Sequence, residues 1–224
     1  MLYQAVCFDF DYTLGDSTIP ITIGFQRGLT AMGWPEPTVE QVRPTIGYTL
    51  YDSYTMLTGD QDPARRKEFY HRFQEAVGEL ALQMGDATMV RETRLFPGAA
   101  ELLKALRAAG VPVAIVSTKL GATIQAILEH NGIAELVALV VGGEHVTRPK
   151  PDPQGLKDAL NKLAVPPEKA LFCGDTVIDA QTAQAAGTEF CAVLNGTTPL
   201  EAFESYPKVH SAPDLKELRN WLGL

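Results

Sequence analysis

Two carboxylates, Asp9 and Asp11, close the apolar run Ala5-Val6-Cys7-Phe8, and Thr13 follows at the next alternate position. Acids this close repel each other, so a strand that ends in both needs a cation to neutralise them. Similar groups recur after later apolar runs. Ser117, Thr118 and Lys119 follow residues 111–116, and Arg148-Pro149-Lys150-Pro151 lies beyond residues 136–141. Gly174-Asp175-Thr176 follows residues 170–173, with Asp179 one helical turn on. Hard oxygen ligands with few histidines suit Mg²⁺, held by Asp9, Asp175 and a backbone carbonyl near Asp11. A metal and a lysine would draw a phosphate ester into this crevice. Asp9, at the strand tip, is the expected nucleophile, since carboxylates attack phosphorus to give an aspartyl-phosphate that water cleaves. Asp11 is placed to protonate the leaving oxygen and later to deprotonate the water. Lys150 would offset the charge on Asp9 and on the transferring group. The Ser117 hydroxyl and Thr118 amide would hold phosphate oxygens, with Thr13 beside them.

For these residues to meet, the runs before them must lie side by side as parallel strands. Five apolar runs (residues 2–8, 111–116, 136–141, 170–173 and 190–194) fit buried strands. Helical patterns at residues 98–109, 124–130, Gln154–Leu163 and 179–186 separate the later ones. Strand alternating with helix implies right-handed crossovers and a Rossmann-like, doubly wound α/β sheet of about five main strands. Its ligands would bind at the carboxyl ends of the strands. Between Thr18 and Arg94 only helical patterns occur, such as residues 64–82, punctuated by Pro35, Pro37 and Thr58-Gly59-Asp60. The chain is therefore expected to form an α/β core from residues 1–17 and 95–224, with an inserted all-helical cap at 18–94.

In this order, "DFDYT", "VST", "KP" and "GDTVIDA" resemble the four signature motifs of the haloacid dehalogenase (HAD) superfamily, across the whole chain. The long helical insertion resembles the subgroup with a helical cap, and the nearest members are similar to phosphoglycolate phosphatases. The resemblance implies Asp9 as nucleophile and Asp11 as general acid/base, with Ser117 and Lys150 binding phosphate or balancing charge. It implies Asp175 as a magnesium ligand and Asp179 as a ligand or an anchor behind one; Asp9 and Asp11 complete the implied metal set. Tyr12 stands where relatives usually have Gly, so its ring is expected to project toward the cap or the substrate. Relatives place a specificity loop near an Ile-Gly pair such as Ile46-Gly47, which brings Gly47 and Tyr48 into the expected substrate site. True haloacid dehalogenases lack the second acid, so Asp11 favours phosphoryl chemistry.

Composition narrows the partners. Asp and Glu total 27 against 19 Lys and Arg, a net charge of −8, which argues against nonspecific nucleic-acid binding. No apolar run approaches membrane-spanning length. The first residues are expected to enter a strand directly, with no cleavable leader. Cys7, Cys173 and Cys191 are odd in number and embedded in apolar sequence, as expected of buried thiols in a reducing cytoplasm. His71, His130, His145 and His210 are scattered, and Lys119 is expected to be a solvated lysine near the site. The expected protein is a cytoplasmic, Mg²⁺-dependent phosphatase of a small phosphorylated metabolite such as phosphoglycolate, monomeric or weakly dimeric. The rivals are a pyrophosphatase or sugar-phosphate phosphomutase on the same fold, and a non-catalytic phospho-ligand binding protein.

Overall fold

The computed structural model describes residues 2–80, 85 and 87–224. The chain enters the sheet at β1 (Ala5–Phe8) and turns back through the short strand β2 (Gly15–Asp16). Among the described residues, the α-helices that follow are α1 (Thr18–Ala31), α2 (Val39–Val42), α3 (Leu50–Thr58), α4 (Pro63–Val77) and α5 (Thr88–Glu92). Strand β3 (Arg94–Leu95) then pairs antiparallel with β2, Gly15 opposite Leu95 and Asp16 opposite Arg94. The rest alternates: α6 (Ala99–Ala108), β4 (Val113–Val116), α7 (Gly121–His130), β5 (Leu139–Val141), α8 (Gln154–Leu163), β6 (Ala170–Gly174), α9 (Val177–Ala186) and β7 (Glu189–Val193). It ends in β8 (His210–Ala212) and α10 (Leu215–Trp221).

The main sheet is parallel, in the order β5-β4-β1-β6-β7-β8. β1 lies between β4 and β6, Val6 opposite both Val113 and Leu171, and all four of its residues are buried. That central position explains the unbroken apolar run, because helices cover both faces of such a sheet. Val6 and Phe8 pack into one layer, with Leu102, Leu103 and Leu106 of α6 and Ile124 and Ile127 of α7. Ala5 and Cys7 face the other, with Leu156 and Leu160 of α8 and Ala183 of α9. The two-residue alternation of a strand thus sorts one tetrapeptide into two cores.

The sheet has six strands rather than about five, and several bounds differ from expectation. Strand β1 starts at Ala5, not Leu2, because Leu2 is 75 % exposed at the rim. Residues Ala134–Leu136 take a tight 3-10 turn, which delays β5 to Leu139. Helix α4 stops at Val77, where Gly78 adopts a left-handed conformation (φ +78°) and caps it. Residues 81 and 82 of the expected helix lie outside the described residues.

Within residues 18–94 the helices enclose an apolar cluster of their own. Phe25 of α1 meets Phe69 and Phe73 of α4 with ring centroids 5.1 and 5.4 Å apart. α1 and α4 approach closely because Gly24 faces α4: a Cβ there would lie 2.4 Å from the Phe73 ring.

Candidate active site

The carboxyl ends of β1, β4 and β6 converge on a buried group of charges. The Asp9 amide donates to the Cys173 carbonyl at 2.9 Å, fixing its side chain beside the end of β6. Asp9 is 1 % exposed, and neither carboxylate oxygen has a hydrogen-bond partner. Lys150 Nζ is 3.0 Å from Asp9 Oδ1, an ion pair that lacks hydrogen-bond direction. The same ammonium donates to Asp179 Oδ1 at 2.6 Å. Burial pushes the Asp9 carboxyl up to about 6; Lys150 opposes this, while Asp179 and Asp11 add to it. Asp175 is driven well above the usual carboxylate range, by burial first and then by Asp179 and Asp9. Burial also acts against the Lys150 charge, but Asp179 and Asp9 outweigh it and raise the ammonium's pKa. The site holds more negative charge than its lysine can balance.

Asp9, Asp175 and Asp179 each present an oxygen within 4.8 Å of the others. The backbone makes room for this crowding at two glycines. A Cβ on Gly196 would lie 2.1 Å from Asp175 Oδ2, and one on Gly174 would lie 2.4 Å from the Asp179 carboxyl carbon. Orphaned, buried carboxylate oxygens in a hard-oxygen donor set fit a divalent cation such as Mg²⁺. Of the three, Asp179 has the least free oxygen to offer a metal. Its Oδ1 holds Lys150, and its Oδ2 accepts from the Thr176 amide (3.0 Å) and hydroxyl (2.6 Å). With Thr176 accepting from the Asp179 amide, this is a capping box at the start of α9. Asp179 thus anchors both a helix and a lysine. Thr13 donates its hydroxyl to Asp175 Oδ1 at 3.1 Å, so it orients an acid rather than facing open space.

Asp11 stands apart from that triad. Its two oxygens are each 3.2 Å from Lys119 Nζ, and both side chains are nearly buried. Lys119 is therefore not the solvated lysine expected, because Asp11 draws it inward. With its side chain so engaged, Asp11 could offer a metal only its backbone carbonyl. Ser117, at the end of β4, is buried, and its hydroxyl faces the Lys119 amide at 3.4 Å. The Thr118 hydroxyl reaches across to the helical insertion and donates to the Gly47 carbonyl at 3.2 Å. Gly47 has φ +100°, and a Cβ there would lie 2.9 Å from the Thr176 methyl. The loop carrying Gly47 and Tyr48 thus sits on the strand ends.

Tyr12 projects toward the insertion, one of the two directions expected of it. It takes a left-handed conformation (φ +58°), which suits the glycine usual at this place. The turn is tight: the amides of Thr13, Leu14 and Gly15 all point at the Phe10 carbonyl. The Tyr12 ring, 2 % exposed, packs into the apolar cluster of the insertion, and its hydroxyl bonds the Thr18 hydroxyl at 2.7 Å. It does not line the cavity over the site. Arg43, Arg91 and Arg94 are exposed and do not line it either.

That cavity measures about 410 Å³ and lies between the insertion and the strand ends. Asp11, Thr118 and Lys119 form its floor; Gly47, Tyr48, Tyr51, Tyr70 and Phe73 are among its walls. Glu79 also faces it, a residue that sequence reasoning passed over. In sequence Glu79 falls within the helical pattern expected over residues 64–82, and only the fold, with the helix ending at Gly78, brings it inward.

Comparisons with known proteins agree with this geometry. Residues 6–193 match the family model of haloacid dehalogenase-like hydrolases. A phosphoglycolate phosphatase of Rhodobacter capsulatus is 32 % identical, over 97 % of this chain and 98 % of that one. An N-acetylmuramic acid 6-phosphate phosphatase of Pseudomonas aeruginosa is also 32 % identical, over 88 % of this chain and 84 % of the other. A crystal structure from Bacteroides fragilis, titled as a haloacid dehalogenase-like hydrolase, superposes with a TM-score of 0.89 at 35 % identity, covering 96 % and 99 % of the two chains. The chain therefore belongs to the haloacid dehalogenase-like hydrolases, where the relatives it resembles are phosphoric monoester hydrolases.

Proposed function

We propose that the protein is a Mg²⁺-dependent phosphatase that hydrolyses small phosphomonoesters through an aspartyl-phosphate on Asp9. The observation that carries this reading is the bare Asp9 carboxylate: buried, without a hydrogen-bond partner, and 3.0 Å from Lys150. With Lys150 beside only one of its oxygens, the carboxylate keeps a lone pair free for attack on phosphorus. Asp9 and Asp175 would hold the cation, which when bound neutralises charge on the phosphoryl oxygens. Lys150, fixed by Asp179, balances charge on Asp9 and the transferring group. Ser117 and the Thr118 amide bind phosphoryl oxygens at the end of β4. Asp11 gives a proton to the leaving oxygen, then takes one from the water that cleaves the acyl-phosphate. Residues 18–94 act as the cap that excludes bulk water during these steps.

The same reading places the enzyme in the cytoplasm, where the buried free thiols Cys7, Cys173 and Cys191 stay reduced. It acts there as a monomer or weak homodimer on a small metabolite. Nucleic acid is disfavoured by the acidic charge, and no described helix is long and apolar enough to cross a membrane. The test is rapid-quench labelling with a ³²P-labelled phosphate ester and Mg²⁺. Acid-stable label should appear on Asp9 in the native enzyme and accumulate in Asp11→Asn. Turnover by Asp9→Asn above a few per cent of native would refute the assignment.

A further inference from the structure

The charges in the cavity indicate which esters enter it, an inference that rests on the phosphatase reading above. Among the described residues, the cavity lining holds one ammonium, Lys119, against three carboxylates, Asp11, Glu79 and Glu144. Lys119 is engaged by both oxygens of Asp11. Glu144 is turned to backbone, accepting from the amides of Gly121 and Ala122 at 2.8 and 3.2 Å. Glu79 is 8 % exposed and accepts from the Thr123 hydroxyl at 3.0 Å. No arginine or histidine lines the cavity, and residues 81–84 and 86 (Ala, Leu, Gln, Met and Asp) carry no positive charge. An anionic leaving group would meet Glu79 while Lys119, the one ammonium of the described lining, is already held by Asp11. His145 stands outside the lining, 3.9 Å from Glu144. That juxtaposition selects against an anionic ligand in a desolvated site.

The walls favour a different shape. Tyr51 and Tyr70 stack with their centroids 5.5 Å apart and their planes within 2° of parallel. About 410 Å³ is the size of an ordinary small-molecule pocket and far exceeds what a two-carbon acid fills. Flat aromatic walls with a buried acceptor suit a carbon skeleton that carries hydroxyls.

We propose that the preferred substrates are phosphomonoesters whose leaving alcohol is an uncharged, sugar-sized polyol. Glu79 accepts a hydrogen bond from one of its hydroxyls and turns away esters bearing a carboxylate there. Glu79 is in this sense a specificity-determining residue contributed by the cap.

Two matched pairs test this, each differing only by CH₂OH against COO⁻: sorbitol 6-phosphate with 6-phosphogluconate, and 2-hydroxyethyl phosphate with phosphoglycolate. The native enzyme with Mg²⁺ should favour the neutral six-carbon ester in kcat/KM by about tenfold or more. Glu79→Gln should shrink that ratio, and Glu79→Lys should invert it. A native preference for the carboxylate member of the six-carbon pair overturns the proposal, as does a ratio unmoved by both substitutions. p-Nitrophenyl phosphate serves as the control. Release from it alongside either of those results overturns this inference and leaves the phosphatase reading standing. No Mg²⁺-dependent release from any of the five esters overturns both.

Discussion

The Lys119 ammonium lies 3.2 Å from each oxygen of Asp11, gripping the expected acid/base from the side of the cavity. A two-point contact fixes the carboxylate plane as well as its position. In the proposed mechanism Lys119 would therefore position Asp11 for proton transfer. Lys119→Met should lower kcat by roughly 10- to 100-fold on alkyl phosphates, a part of the roughly 10²- to 10⁴-fold that general acid catalysis supplies. On p-nitrophenyl phosphate, whose leaving group needs no proton, the loss should be several-fold smaller. Equal losses on both ester types would show Lys119 to be merely structural.

The stability of the cation-free protein should depend on Asp9. Its carboxyl titrates at about 6 in the fold, against 3.8 ordinarily. Below about pH 4 it is protonated in both the folded and unfolded chains and costs nothing. Between pH 4 and 6 the unfolded chain releases the proton while the folded one keeps it, so stability falls as pH rises, then levels off. Asp9→Asn removes this penalty. In chelator, the melting temperature of the variant minus that of the native protein should grow from pH 4 to pH 6 and then plateau. The gain is on the order of 3 kcal/mol, or roughly 6–12 °C for a chain of this length. A difference that is flat with pH would contradict the burial argument.

Added Mg²⁺ should reverse the native penalty. Binding to the folded state alone stabilises it by mass action, so the native melting temperature should climb with Mg²⁺ concentration. Asp175→Asn should need at least about tenfold more Mg²⁺ for the same climb, because a buried charged ligand has been replaced by a neutral one. Thermal melting across a Mg²⁺ titration reads this without any substrate. Superimposable titrations would remove Asp175 from the metal site.

Packing in the cap should fail at one methyl group. Gly24→Ala would set a Cβ 2.4 Å from the buried Phe73 ring, forcing α1 and α4 apart. Overpacking of this kind costs about 1–3 kcal/mol. Because Phe73 also lines the cavity, KM for sugar-sized esters should rise more than KM for p-nitrophenyl phosphate. Unchanged stability and kinetics would mean that the helices relax freely.

The parts of the fold legible in sequence were those with strong local signals. Unbroken apolar runs marked β1, β4, β6 and β7, because strands covered on both faces admit few polar residues. β8 carries His210 and Ser211 at the sheet edge, and β2 and β3 are two residues each, too short for any periodicity to show. The charges on the strand ends were legible because a parallel sheet aligns them automatically. What each side chain faces was not. Lys119 turns inward because Asp11 waits there, whereas the turn of Tyr12 toward the insertion was one the sequence did suggest. Glu79 reaches the cavity through the packing of α4, a tertiary matter that its neighbours in sequence do not betray.

The ribbon of β2 and β3 has a consequence for how such enzymes diversify. The chain leaves the core at Asp16 and re-enters it at Arg94, opposite each other on adjacent antiparallel strands. Neighbouring strands lie only about 4.8 Å apart, a gap that a two-residue turn bridges. Everything between those residues is, topologically, an ornament on a hairpin. It can be lengthened, exchanged or lost over evolution while the sheet and the strand-end acids keep their register. If the proposed function holds, most of the cavity's walls and all of the strand-end acids would be inherited on separable segments of one gene.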